Sequence, residues 1–172
     1  MGSKGIQRRY FSKTIDSPVG PLILVASERG LAAVQWPTAN PRCAPLDNVV
    51  EAAGNPVLEE AARQLTQYFA GERTHFSIEL DFGGTDFQRQ VWEALLTIPF
   101  GETRSYGQIA KQIGRPTAVR AVGAANGQNP LPIIAPCHRV IGSTGKLTGF
   151  GGGLPMKEQL LTHEGALGAV LL

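Results

Sequence analysis

Polar and apolar positions alternate in the first third of the chain and change to helical spacing beyond it. Residues 9–15, 21–27 and 31–36 are short alternating runs, broken by Pro18-Val19-Gly20 and by Arg29-Gly30. Runs of that length between turn residues predict three strands in an antiparallel meander. Residues 37–48 read as a loop. Asn55-Pro56 marks a helix start, with Asn as cap and Pro in the first turn. Leu58, Ala61, Ala62, Leu65 and Phe69 give that helix one apolar face, and Gly71 closes it. Alternation returns over 75–82 and predicts a further strand.

Gly83-Gly84 separates this part from one of different character. Thr85-x-x-Gln88 and Ser105-x-x-Gln108 both fit the capping box, in which hydroxyl and amide satisfy orphan helix N–H groups reciprocally. The first of these helices extends to about Ile98, with Phe87, Val91 and Leu95 on one side; the second ends at Gly114. A third spans 117–126. Two short helices across a Gly-containing turn match a helix-turn-helix, a pattern that any small helical subdomain also satisfies. The third helix carries Ala118, Ala121, Gly123, Ala124 and Ala125, with Arg120 as its one long cation. Such small residues let another backbone approach closely, either a nucleic-acid strand or a neighbouring helix. Residues 142–153 are glycine-rich around Phe150 and lack the Gly-Lys-Ser/Thr of a phosphate loop, which suits a wall closing over a planar ligand. Leu154-Pro155 opens a final helix to about Thr162 and delivers Glu164 at its end. The fold class is therefore α+β: a domain over 1–82 of short antiparallel sheet plus helix, then a helical domain over 83–172.

Composition narrows the classes. No run in the 172 residues approaches the length of a membrane span, about 18 apolar residues, and residues 1–13 are polar and basic. The two cysteines are too few for a disulfide framework, and Cys43 lies in a Pro-rich loop, so a reducing cytoplasm is expected. The three histidines and two cysteines show no metal-ligand spacing. Residues 1–84 hold eight Lys/Arg against nine Asp/Glu, net −1, whereas 85–172 hold eight against five, net +3. The excess on the second half points weakly to a polyanion.

The chemistry concentrates at Pro136-Cys137-His138-Arg139-Val140, behind the apolar stretch 131–135 and ahead of His163-Glu164. Cysteine reacts as thiolate, and an imidazole backed by a carboxylate is the usual means of forming one at neutral pH. A buried structural thiol beside a surface imidazole is the other reading of the adjacency. In an extended chain successive side chains face opposite ways, so Cys137 and His138 meet only through a sharp turn or a bridging water. A Cys137–water–His138–Glu164 relay is the form the sequence favours.

The motif resembles the signature of the methylated-DNA–protein-cysteine methyltransferases, the direct-repair alkylguanine alkyltransferases. Phe100-Gly101-Glu102, Ser105-Tyr106-Gly107, Arg120-Ala121-Val122-Gly123, Asn129-Pro130, and Gly152-Gly153-Leu154 through His163-Glu164-Gly165 are similar to segments of that family, in order and at its spacing. The similarity is dense over 85–166 and looser before it. It implies a ribonuclease-H-like first domain without chemistry and a winged-helix, helix-turn-helix second domain that binds duplex DNA in the minor groove. It implies Cys137 as acceptor of the alkyl group on the 6-oxygen of guanine, and also on the 4-oxygen of thymine. His138 and Glu164 form the relay, Tyr106 donates to guanine N3, and Asn129 braces the turn. Arg120 takes the space of the extruded nucleotide, with Ala121, Ala124, Ala125, Asn126 and Gln128 along the DNA. Pro132, Val140, Phe150, Gly151 and Gly152 would line the base pocket. The resemblance further implies a monomer that is consumed in one turnover, with no cofactor and no metal. Phe150 stands where many members have Tyr, which bears on the alkyl groups accepted; Gln128 occupies a variable position. An alkylation-sensing DNA-binding protein and a Cys-His hydrolase are the alternatives from other classes.

Overall fold

A computed structural model describes residues 9–37, 49–52, 54–147 and 153–166. Strands β1 (Tyr10–Ile15), β2 (Leu22–Ala26) and β3 (Leu31–Gln35) form the predicted meander. A short β4 (Val49–Glu51) adds in parallel to β1, giving the order β3-β2-β1-β4. Three residues with both valines exposed carry too little pattern to announce a strand. Helix α1 (Pro56–Phe69) starts where the cap predicts: Asn55 Oδ1 accepts from the N–H groups of Val57 and Leu58 at 3.0 and 3.2 Å. It buries Leu58, Ala61, Ala62, Leu65 and, in addition, Tyr68. Gly71, at φ 78°, supplies the left-handed residue that lets the Glu72 N–H return to the Gln67 carbonyl.

Residues 75–82 correct the predicted strand. Leu80 makes one isolated parallel bridge to Leu31, and the remainder stays outside the sheet. The Gln64 side chain is the reason: it donates to the Ser77 carbonyl at 3.2 Å and accepts from the Ser77 N–H at 2.9 Å. A side chain of α1 thus satisfies backbone groups that a neighbouring strand would otherwise take. Gly30 lets the segment pass close, since a Cβ there would lie 2.5 Å from the Glu79 carbonyl oxygen.

The second half is helical. α2 (Asp86–Leu95) and α3 (Tyr106–Gln112) each begin with the predicted capping box, at Thr85/Gln88 and Ser105/Gln108. α2 stops at Leu95, three residues short of Ile98, and continues as a turn. After Gly114 (φ 76°), α4 (Val119–Gly127) begins two residues later than the sequence suggests and packs on α2 and α3. The α3–turn–α4 unit is the helix-turn-helix. Two-residue strands β5 (Arg104–Ser105) and β6 (Val140–Ile141) pair in parallel, and α5 (Leu154–His163) follows. One apolar core runs through both halves, joining Leu22, Leu31, Leu58 and Leu65 to Leu95, Ile109, Leu131 and Leu160. The Val34 N–H donates to the Pro130 carbonyl at 2.9 Å, which ties β3 to the loop ahead of Cys137. Among the described residues no helix is long and apolar enough to cross a membrane.

Candidate active site

The apolar stretch before Cys137 is not extended. Residues 131–135 fold into a buried turn, with the Ala135 N–H on the Leu131 carbonyl at 2.8 Å. Ile133 takes φ 74°, a left-handed conformation that costs a β-branched residue about 1–3 kcal/mol. Asn129 holds the turn from both sides. Its Nδ2 donates to the Ala135 carbonyl at 2.7 Å and its Oδ1 accepts from the Leu131 N–H at 3.0 Å. The chain then tightens into a 3-10 turn over Cys137–Arg139, so the thiol and the imidazole leave one short turn rather than opposite faces of a strand.

Behind that turn Glu164 collects four donors. Its Oε2 accepts from His138 Nε2 at 2.8 Å, Tyr68 Oη at 2.5 Å and Arg139 Nη2 at 2.9 Å, and its Oε1 accepts from Arg139 Nε at 2.7 Å. Arg139 Nη1 also donates to the Ile98 carbonyl at 2.6 Å. All four side chains are buried. Burial alone would raise the Glu164 carboxyl, but the hydrogen bonds of His138 and Arg139 and the charge of Arg139 prevail and bring it down to about 2. Burial also lowers His138, against the pull of Glu164, so the pair is a neutral imidazole donating Nε2–H to a carboxylate. This leaves Nδ1, buried and without a protein partner among the described residues, as the basic nitrogen.

Cys137 is buried, and burial pushes its thiol up to about 11. Hydrogen bonding from Asn129, the charge of Lys157 and the local backbone N–H groups oppose that rise. Lys157 is fully enclosed, donates Nζ to the Val140 carbonyl at 2.6 Å, and is lowered by burial to about 8. Neither Lys157 nor Tyr68 is among the site residues that the sequence suggests. The signals exist: Lys157, Leu160, Leu161 and Glu164 fall at i, i+3, i+4 and i+7, one buried stripe with a charge at each end. Tyr68 continues the apolar face of α1 three residues beyond Leu65.

On the other side of the turn, Tyr106 opens α3 and its ring lies against Gly123 of α4, where a Cβ would stand 3.9 Å from Cδ1 and Cε1. Arg120, Ala121 and Ala124 face outward on α4, and Gln128 beyond it is exposed and accepts from Gln88 Nε2 at 2.8 Å. Ala125 and Asn126, expected along the DNA, are only 2% and 4% exposed. With Val122 they form the inward i, i+3, i+4 face of the helix, which corrects their assignment. The Ala125 carbonyl accepts from Trp92 Nε1 at 2.8 Å, and Asn126 Nδ2 donates to the Cys137 carbonyl at 3.4 Å. Pro132 and Val140 are buried beside the turn; Phe150, Gly151, Gly152 and Cys43 lie outside the described residues.

The family model for the 6-O-methylguanine DNA methyltransferase DNA binding domain matches residues 86–166, and that for the ribonuclease-like domain of the same protein matches residues 10–82. The chain belongs to the 6-O-methylguanine DNA methyltransferase family. The methylated-DNA–protein-cysteine methyltransferase of Mycobacterium tuberculosis is 52% identical over 158 residues, covering 88% of this chain and 90% of the relative. That of Salmonella typhimurium is 45% identical over 170 residues, covering 92% and 98%. The crystal structure of Mycobacterium tuberculosis OGT in complex with DNA superposes with a TM-score of 0.82 at 51% identity, over 94% of each chain. The α+β architecture, a ribonuclease-like part followed by a helical DNA-binding part, is that of the family.

Proposed function

We propose that the protein repairs alkylated duplex DNA directly, moving the alkyl group from the 6-oxygen of guanine to Cys137 in a single turnover. The observation that carries this reading is a buried thiol in a tight turn whose neighbouring imidazole is fixed by a four-donor carboxylate. His138 Nδ1, directly or through a water, takes the Cys137 proton. The sulfur then attacks the alkyl carbon in line with the C–O bond; the new S–C bond forms as the C–O bond breaks, and the electron pair passes to the guanine. Tyr106 donates a hydrogen bond to guanine N3, so less negative charge develops on the leaving base. Asn129 keeps the turn in register, and Pro132 and Val140 bound the space that the base enters.

The reactive carbon lies inside the base stack, so the nucleotide must be extruded at a cost of a few kcal/mol. The outward face of α4 suits this, with Arg120 filling the vacated stack while Ala121 and Ala124 let the strand approach. Thiolate and base account for every atom of the transfer, which requires no cofactor. The thioether is not hydrolysed, so the protein is spent. A reduced thiol and a DNA substrate fit a cytoplasmic protein, and residues 83–172 make up the part that acts on DNA.

Intact mass after incubation with methylated duplex DNA tests the reading. The expected result is a gain of one methyl group, located on the peptide containing Cys137. Modification of Cys43 instead, or product formation beyond one equivalent as a hydrolase would give, overturns it.

A further inference from the structure

Resting on the reading of Cys137 as the acceptor thiol, we propose that Tyr68, supplied by the first half of the chain, is a positioning residue that restrains the relay by competing with His138 for one oxygen of Glu164. Its hydroxyl and the His138 Nε2–H converge on Oε2, at 2.5 and 2.8 Å. With Arg139 Nη2 at 2.9 Å, three donors share the negative charge of that oxygen, so each weakens its hold on the others. Tyr68 thereby limits how far Glu164 stabilises a protonated His138, and with it how readily Cys137 gives up its proton.

The tyrosine cannot turn away. Its ring is fully buried against Phe69, Phe76, Phe100 and His163, with centroids 5.0, 5.5, 6.1 and 4.9 Å away, and its carbonyl accepts from His163 Nε2 at 2.8 Å. Burial and the adjacent carboxylate push the phenol far above its ordinary value, so it donates throughout the working pH range. The groups facing Glu164 are Tyr68 from α1 and His138 and Arg139 from the 3-10 turn; Lys157 of α5 acts on Cys137 instead. Arg139 is fixed to both carboxylate oxygens and to the Ile98 carbonyl, which leaves Tyr68 as the neutral donor that adjusts the balance. A protein with one acceptor thiol and one turnover loses its capacity to every stray electrophile. A donor that holds the resting thiol protonated conserves it.

Tyr68→Phe removes the oxygen and keeps the ring contacts. The readout is the rate at which iodoacetamide alkylates Cys137 as a function of pH, followed by intact mass and peptide mapping. Iodide is the leaving group and no DNA takes part, so the result is independent of the repair reaction. The expected midpoint lies about half a pH unit below that of the unsubstituted protein, or about threefold faster alkylation below the midpoint. A protein carrying 3-fluorotyrosine at position 68 has a stronger phenol donor in the same ring, and its midpoint is expected to move upward. Profiles that superimpose on the unsubstituted protein, with only a lowered melting temperature, would make Tyr68 a packing residue and overturn the inference; so would an upward shift in Tyr68→Phe. If Tyr68→Phe does not fold, the fluorotyrosine protein decides: an upward midpoint supports the coupling, and an unmoved or lowered one overturns it. Opposite shifts in the two proteins, together with failure of methyl transfer from DNA, would support the coupling and remove the acceptor reading.

Discussion

Lys157 is a buried amine that places positive charge where the thiolate of Cys137 forms, and its Nζ donates to the Val140 carbonyl at 2.6 Å. Replacing it with methionine keeps most of the stem and removes the charge. Lys157→Met is expected to raise the midpoint of the thiol's rate–pH profile and to slow alkyl transfer at neutral pH several-fold, because an opposite charge near an acid favours its ionised form. Second-order rate constants measured across pH check this. An unmoved profile would confine Lys157 to holding the Val140 carbonyl. Glu164→Gln acts at the same site but carries a second consequence. It weakens the pull on His138, so the thiol midpoint rises and transfer slows. It also leaves the Arg139 guanidinium buried without its carboxylate, a change that costs roughly 3–5 kcal/mol. The variant is therefore expected to be both slower and less stable, read by rate and by melting temperature. Unchanged stability would mean that Arg139 has found another partner; an unchanged rate would mean that Glu164 serves only the fold.

Among the elements, α3 and α4 separate chemistry from extrusion. Arg120 stands on the exposed face of α4, whereas Tyr106 stands at the first turn of α3 against Gly123. Arg120→Ala is expected to react nearly normally with free 6-O-methylguanine base and to lose roughly tenfold or more on the duplex lesion, where unstacking of a few kcal/mol goes uncompensated. Tyr106→Phe is expected to slow both substrates, since its hydroxyl acts on the leaving base. Paired rate constants decide, and equal losses on both substrates for Arg120→Ala would end its assignment to the stack. These elements were legible because their ends are written in local chemistry. Asn55-Pro56, Thr85/Gln88 and Ser105/Gln108 satisfy their own helix starts whatever packs on them. The segment 75–82 misleads for the converse reason. Its alternation resembles a strand, but its partner at Ser77 is the side chain of Gln64, a contact that no local pattern encodes. Cys137, His138 and Glu164 were visible as residue types at a spacing. The burial of Tyr68 was legible from its place on the apolar face of α1, but its partner was not, because it lies 96 positions away.

At the scale of the molecule, the Glu164 cluster is also a bolt between the two halves. Tyr68 of α1, Arg139 of the 3-10 turn and Glu164 at the end of α5 meet at one carboxylate, within a core shared by both parts. The folded protein holds that carboxyl near 2 against an ordinary 4.5, so the unfolded chain takes up the proton first as pH falls. The stabilisation is complete above about 4.5 and drains away between there and about 2. His138 works in the same direction earlier: its folded value lies below the ordinary 6.5, so acid favours the unfolded chain from about that pH downward. The expected melting temperature therefore declines below about 6.5 and further below about 4.5, in a single transition because the cluster spans both halves. Surface carboxylates titrate in the same region, so the decisive quantity is the gap between the unsubstituted protein and Glu164→Gln. That gap is expected to be a few kcal/mol at neutral pH and to close as pH falls from about 4.5 towards 2, where both proteins carry an uncharged side chain at this position. A gap that stays constant through this window would show that Glu164 stabilises the molecule by shape alone, and that its charge does not hold the halves together.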